Sequence, residues 1–177
     1  PREECPICFI PLPLDARRTT FQTCCGKLIC NGCIVVMNEE ARGRGKIGLC
    51  AVCRTPVAHT SAEENCKRAM KLIEAGNAHA FNNLAGYYAR GIRGVSQYFA
   101  KANELWLRAG ELGCAEGHNL GNSYRNGRGV EMDKKKATHF YELAAVAGDV
   151  SARHNLGCEE FEAGNYLRAY KHFILSA

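Results

Sequence analysis

The chain has 177 residues, 23 Lys and Arg against 18 Asp and Glu, and a formal net charge of +5. That length suits one ordinary domain or two small ones, and the absence of a long apolar run gives no reason to expect a membrane span. The 11 cysteines are the compositional anomaly: eight fall between residues 5 and 53, and only Cys66, Cys114 and Cys158 lie beyond.

From residue 1 to about 58 the sequence reads as loop-rich, with Pro6, Pro11, Pro13 and Pro56 punctuating it. Thr19-Thr20-Phe21 suggests a short strand. Asn31 to about Ala41 suggests a short helix on which Ile34, Val35 and Met37 share a face, followed by an exposed basic loop containing Arg42, Arg44 and Lys46. The thiols are grouped as Cys5/Cys8, Cys24/Cys25, Cys30/Cys33 and Cys50/Cys53. A Cys-x-x-Cys step lets a tight turn present two thiolates to one tetrahedral Zn²⁺. Three such steps and an adjacent pair supply eight ligands, enough for two Zn ions. Disulfides are the alternative staple for so small a segment. Three leftover thiols and an odd total favour a reducing compartment, so the protein is expected inside the cell, in cytoplasm or nucleus. With eight thiolates on two Zn²⁺, the formal charge falls from +5 to about +1. Nucleic-acid binding through Arg42, Arg44 and Lys46 therefore becomes the weakest of the readings.

This ligand order resembles the all-cysteine variants of the RING finger family, over residues 5 to 54. The resemblance implies a cross-brace, in which Cys5, Cys8, Cys30 and Cys33 hold one Zn²⁺ and Cys24, Cys25, Cys50 and Cys53 the other. Ile7 matches the apolar residue with which RING fingers touch a ubiquitin-conjugating enzyme, Ile34 and Val35 fall on the face near it, and Arg54 matches the linchpin arginine. The family departures are three. Cys24 and Cys25 are adjacent, which leaves open that one stands outside the site with His59 as the nearby replacement. Ala51 stands where a proline is common, and the tryptophan of the contact groove is missing.

Ser61 followed by Glu64 is a capping-box signature, predicting a helix from about Ala62 to Ala75 that Gly76 stops. Beyond it the sequence repeats. Asn83-Leu84-Ala85, Asn119-Leu120-Gly121 and Asn155-Leu156-Gly157 are 36 residues apart, and Gly91 to Val95 matches Gly127 to Val130. A period near 35 residues with two helical segments marks a helical-hairpin solenoid. Leu84, Tyr88, Leu105, Trp106, Leu120, Tyr124, Phe140, Tyr141, Leu156 and Phe173 are its candidate core, and Asp133 and Asn165 suit the starts of second helices. The units resemble Sel-one-like repeats, relatives of tetratricopeptide repeats, which implies a scaffold that binds proteins.

The expected fold is therefore mainly α, with a small zinc-stapled RING-like α+β domain at 1–58 and an α-α hairpin solenoid at 59–177. The solenoid divides into a half-repeat cap at 62–76 and repeats at 77–113, 114–148 and 149–177, the last expected to be truncated. Zinc held wholly by sulfur is closed to substrate, so catalysis would be indirect and would form no covalent intermediate on this chain. The family resemblance implies a ubiquitin ligase that takes a ubiquitin-conjugating enzyme charged with ubiquitin at Ile7, Ile34, Val35 and Arg54, and a substrate on the repeats. The alternative is a zinc-stabilised adaptor without ligase activity.

Overall fold

The computed structural model describes residues 3–13, 15–43, 48–56, 61–114 and 117–176. His59, Arg44 and Lys46 therefore lie outside the described residues. The N-terminal part contains a single 3-10 turn, Ala16–Arg18, then β1 (Thr19–Gln22), β2 (Lys27–Cys30) and α1 (Asn31–Gly43). The strands pair antiparallel from Thr19↔Cys30 to Gln22↔Lys27, so the turn between them carries Cys24 and Cys25. Asn31 braces this unit: its amide donates to the Arg17 carbonyl at 2.8 Å, and its oxygen accepts from the Thr20 hydroxyl at 2.9 Å. No residue of α1 is buried. Ile34 and Met37 line one cleft, whereas Val35 and Val36 are more than half exposed. The expected shared face of Ile34, Val35 and Met37 thus divides, because 100° per residue carries position 35 away from positions 34 and 37.

The helical part begins with α2 (Ala62–Glu74), which packs on α3 (Ala78–Arg90). Three hairpins follow: α3 with α4 (Phe99–Glu111), α5 (His118–Asn126) with α6 (Lys134–Val146), and α7 (Val150–Glu162) with α8 (Tyr166–Ser176). Their starts follow local chemistry. Asn77, Asp133 and Asp149 accept from backbone amides in the first turns of α3, α6 and α7. Such caps satisfy orphan donors that burial would otherwise penalise. The Ser61 hydroxyl accepts from Glu64 N–H at 3.1 Å, but the Glu64 carboxylate binds Arg68 instead of reaching back, so half of the capping box forms. The Asn165 side chain donates to Glu160 rather than capping α8.

The core lies between hairpins. Leu84, Leu105, Trp106 and Leu120 form one buried cluster with Ala85 and Ala102; Ala137, Tyr141, Ala144 and Leu156 form a second. The glycine of the Asn-Leu-Gly step has a steric reason. A Cβ on Gly121 would stand 2.4 Å from Tyr141 Cε1, and one on Gly157 would stand 2.6 Å from Phe173 Cε1. In the second and third hairpins an aromatic of the second helix thus packs against a glycine of the first, where the first hairpin has Ala85.

The N-terminal unit is fastened to α2 and to the start of α3. The β1–β2 turn places Gly26 at φ 71, and a Cβ there would meet Asn77 Nδ2 at 2.8 Å. Asn77 donates that amide to the Gly26 carbonyl at 3.1 Å, and the Thr23 hydroxyl donates to Asn65 at 2.9 Å. One asparagine therefore both starts α3 and holds the cysteine-rich turn.

Candidate metal centres

Cys5 and Cys50 each open a five-residue turn built in the same way. Cys5 N–H donates to Ile10 O at 3.0 Å and Phe9 N–H to Cys5 O at 2.9 Å; Cys50 N–H donates to Thr55 O at 2.8 Å and Arg54 N–H to Cys50 O at 2.9 Å. An isolated bridge closes each turn, Glu4↔Pro11 and Leu49↔Pro56. The residue after each second cysteine is left-handed without being glycine, Phe9 at φ 58 and Arg54 at φ 60. A left-handed residue bends the chain back on itself, so both thiols of each turn face the same side. These two positions were not legible as strained from the sequence, since neither is Gly, Asn or Asp.

The thiols converge in two groups of four: Cys5, Cys8, Cys30 and Cys33, and Cys24, Cys25, Cys50 and Cys53, with sulfurs within 4.8 Å of one another in each. The pattern interleaves, because β2 and α1 carry Cys30 and Cys33 back to the first turn while the β1–β2 turn meets the second. Adjacency does not separate Cys24 from Cys25. Cys24 Sγ is 3.4 Å from Cys53 Sγ, and Cys25 Sγ is 3.8 Å from Cys50 Sγ. Cys8 and Cys30 sulfurs stand 3.9 Å apart.

These distances discriminate between chemistries. A disulfide requires about 2.05 Å between sulfurs, whereas four Zn–S bonds of about 2.3 Å in a tetrahedron put the sulfurs about 3.8 Å apart. The donor set and its spacing fit Zn²⁺ in both groups. The protonation pattern leads the same way. Burial alone raises the Cys5 thiol, but the backbone amides of Cys8, Cys30 and Ile7 and the Cys30 thiol donate to it and bring it down to about 6. In the second group the Thr55 hydroxyl, 3.2 Å from Cys53 Sγ, and the Thr55 amide hold that thiol down at about 6 against burial. Burial pushes Cys33 up to about 12 and Cys25 up to about 11, and it raises Cys24 as well. Burial, ahead of the neighbouring thiols, thus opposes ionisation of Cys24, Cys25 and Cys33. A divalent cation at the centre reverses that balance.

Of the other expected site residues, Ile7 is half-buried on the first turn and Arg54 is exposed on the second. Ile34 lines a cleft of about 380 Å³ with Leu49 and Ala51, bounded on the far side by Arg68 and Tyr87 of the helical part. Val35 stands apart from it in solvent. Ala51, which stands where RING fingers commonly have a proline, is part of the lining. Trp106, the one tryptophan, belongs to the helical core.

Two thiols outside the clusters meet histidines. Cys114 Sγ is 3.8 Å from His79 Nδ1, whose Nε2 is 3.2 Å from Glu3, and Cys158 Sγ is 3.7 Å from His154 Nε2. The second pairing has a sequence signal, the i,i+4 spacing on a helix; the first joins distant elements and has none.

The fold and the sulfur clusters define a mainly helical repeat protein carrying two candidate four-sulfur metal sites. No family model matches the chain, and no curated protein is similar to it. Among solved structures it is similar to a Sel1 repeat protein from Oxalobacter formigenes, with 28% identity and a TM-score of 0.58 over 66% of this chain and 48% of that one. It is also similar to c5321, a protective antigen of uropathogenic Escherichia coli strains displaying an SLR fold, with 26% identity and a TM-score of 0.63 over 70% of this chain and 27% of that one. The chain spans less than half the length of either structure. Its helical hairpins thus resemble those of Sel1 repeat proteins. Among the described residues, no helix is long and apolar enough to cross a membrane.

Proposed function

We propose that the protein is a RING-type ubiquitin ligase module joined to a protein-binding solenoid. The interleaved sulfur groups carry this reading: the first and third cysteine pairs meet, as do the second and fourth, which is the arrangement that the RING resemblance implies. Two Zn²⁺ held there would set the loops bearing Ile7 and Arg54 without taking part in chemistry. Arg54, exposed with an extended fork of donors, has the chemistry to bridge a conjugating enzyme and its ubiquitin. Ile7, Ile34 and Val35 supply the apolar contact in this reading, with Val35, the most exposed of the three, at its outer edge. The repeats would hold the substrate or another partner protein.

Auto-ubiquitination with a panel of conjugating enzymes tests the proposal. The wild type is expected to form conjugates, and an Ile7→Ala, Arg54→Ala double variant with unchanged zinc content is expected to lose most of that activity. Equal activity in the two would remove the ligase reading.

A zinc-stabilised adaptor without ligase activity is the second reading, favoured by Ala51 and by the absence of a tryptophan from the N-terminal part. Affinity capture that recovers partner proteins and no conjugating enzyme, together with an inactive wild type, supports it.

A further inference from the structure

The cleft of about 380 Å³ that holds Ile34 is built from both parts of the chain. The N-terminal part supplies Ile34 and Met37 of α1 and Leu49 and Ala51 beside the second cysteine turn, and β1 adds to the lining. The helical part supplies Arg68 of α2, Tyr87 of α3 and Arg93 of the turn between α3 and α4. An apolar strip on one side thus faces cationic and phenolic groups on the other. Two bonds set the spacing of the walls: the Thr23 hydroxyl donates to Asn65 at 2.9 Å, and the Asn77 amide donates to the Gly26 carbonyl at 3.1 Å. A cleft fixed in this way is preorganised, so a partner need not order it.

Arg93 belongs to a turn one residue longer than its counterpart. Gly91-Ile92-Arg93-Gly94-Val95 stands where the next repeat has Gly127-Arg128-Gly129-Val130. The shorter turn is used by the solenoid itself: Arg128 lies over the Phe99 ring at 5.8 Å, and a Cβ on Gly129 would meet Ala100 N at 2.5 Å. The longer turn instead gives its arginine to the cleft. Arg93 holds a left-handed φ of 59, which side chains seldom adopt, and it is exposed. It has no ion pair among the described residues. Burial raises the Tyr87 phenol and the Arg93 charge opposes the rise, as a guanidinium near that hydroxyl should. Arg68, by contrast, is answered by Glu64 at 2.9 Å.

Among the described residues no carboxylate lines this cleft. The residues outside the described ones that are nearest to it in sequence, 44–47 and 57–60, include no Asp or Glu. Apolar surface beside an unanswered cation fits a protein loop that carries an apolar side chain next to a carboxylate. A wholly apolar loop would strip water from Arg93 and return nothing.

We propose that the first repeat is part of the dock for the conjugating enzyme: Ile34, Met37 and Leu49 take an apolar side chain of the enzyme, and Arg93 takes a carboxylate beside it. The inference rests on the ligase reading and extends it, because the enzyme is then selected by an acidic residue as well as an apolar one.

The test is discharge of ubiquitin from charged conjugating enzymes to free lysine, with the full chain and the same panel of enzymes, followed against enzyme concentration. Arg93→Gln is expected to raise KM about tenfold with kcat unchanged, the mark of a lost docking contact, and Arg93→Glu to raise it further. The wild-type KM is expected to rise with salt, and that of Arg93→Gln to rise less. Lys135→Gln removes the same charge from an exposed position of α6 and is expected to change neither constant. Glutamine and glutamate meet the same backbone constraint at position 93 as arginine does, so the variants keep the fold and the zinc content, which melting curves and metal counting check. An unchanged or lowered KM in Arg93→Gln, or an equal rise in Lys135→Gln, overturns the inference while wild-type discharge leaves the ligase reading standing. No discharge by the wild type with any enzyme removes both.

Discussion

Replacing Gly121 by alanine tests the packing logic of the repeats. In an isolated helix this change would stabilise by about 0.5–1 kcal/mol, since glycine is a poor helix former. Here the added Cβ would stand 2.4 and 2.5 Å from Tyr141 Cε1 and Cδ1. Tyr141 cannot easily retreat: it is fully buried, and its hydroxyl donates to Asn122 Oδ1 at 2.7 Å. Overpacking of this kind costs about 1–3 kcal/mol, and a ring pushed off its hydrogen bond forfeits about 1 kcal/mol more. The net expectation is destabilisation by about 1–3 kcal/mol, a drop of about 2–12 °C in midpoint for a chain of this size. Gly110 serves as the control, because a Cβ there would meet nothing within 4 Å. Thermal melts followed by circular dichroism at the helical band compare the two. A Gly121→Ala protein as stable as the wild type would refute the argument that the aromatic ring imposes the glycine.

Metal counting on the purified protein is expected to give two Zn ions, and chelation is expected to unfold the N-terminal part while most helical signal survives, because α2 to α8 carry their own core. A parallel loss of all helical signal would contradict this. Cys25→Ser should leave one tightly held ion in the Cys5 group, seen by native mass spectrometry; retention of two would place Cys25 outside the second site. Asn77→Ala removes a helix cap and the bond to Gly26, and should cost about 1.5–3 kcal/mol; Asn77→Asp, which keeps only the cap, should fall between. Burial pushes the Tyr141 phenol from 10.0 up to about 12. The unfolded chain therefore releases this proton first as pH rises. The stabilisation is complete below pH 10 and is lost between about 10 and 12. Tyr141→Phe should lessen that alkaline loss in denaturant melts.

Much of this arrangement could be read before any coordinates. The helical hairpins follow from a 36-residue period in Asn-Leu followed by Ala or Gly and from glycines that end α2, α4 and α6 at φ 73, 86 and 98. Those signals are local or periodic, and a repeat makes its neighbour contacts at the same positions each time. The capping of α6 by Asp133 was legible for the same reason. Glu64 and Asn165 went elsewhere because a nearer partner, Arg68 or Glu160, competed for each side chain.

Cysteine spacing likewise determined that thiols would come in pairs, since a Cys-x-x-Cys turn is closed by its own backbone. Which pairs would share a centre is a long-range property. Here β2 and the helix after it return Cys30 and Cys33 to Cys5 and Cys8, leaving Cys24 and Cys25 to meet Cys50 and Cys53. The role of Asn77 in holding Gly26 and the ring of Tyr141 on Gly121 were decided at the same level. Each depends on two segments meeting in space. A residue's own neighbours encode its turn or helix, but the partner across a packed interface is chosen only when the whole chain has closed.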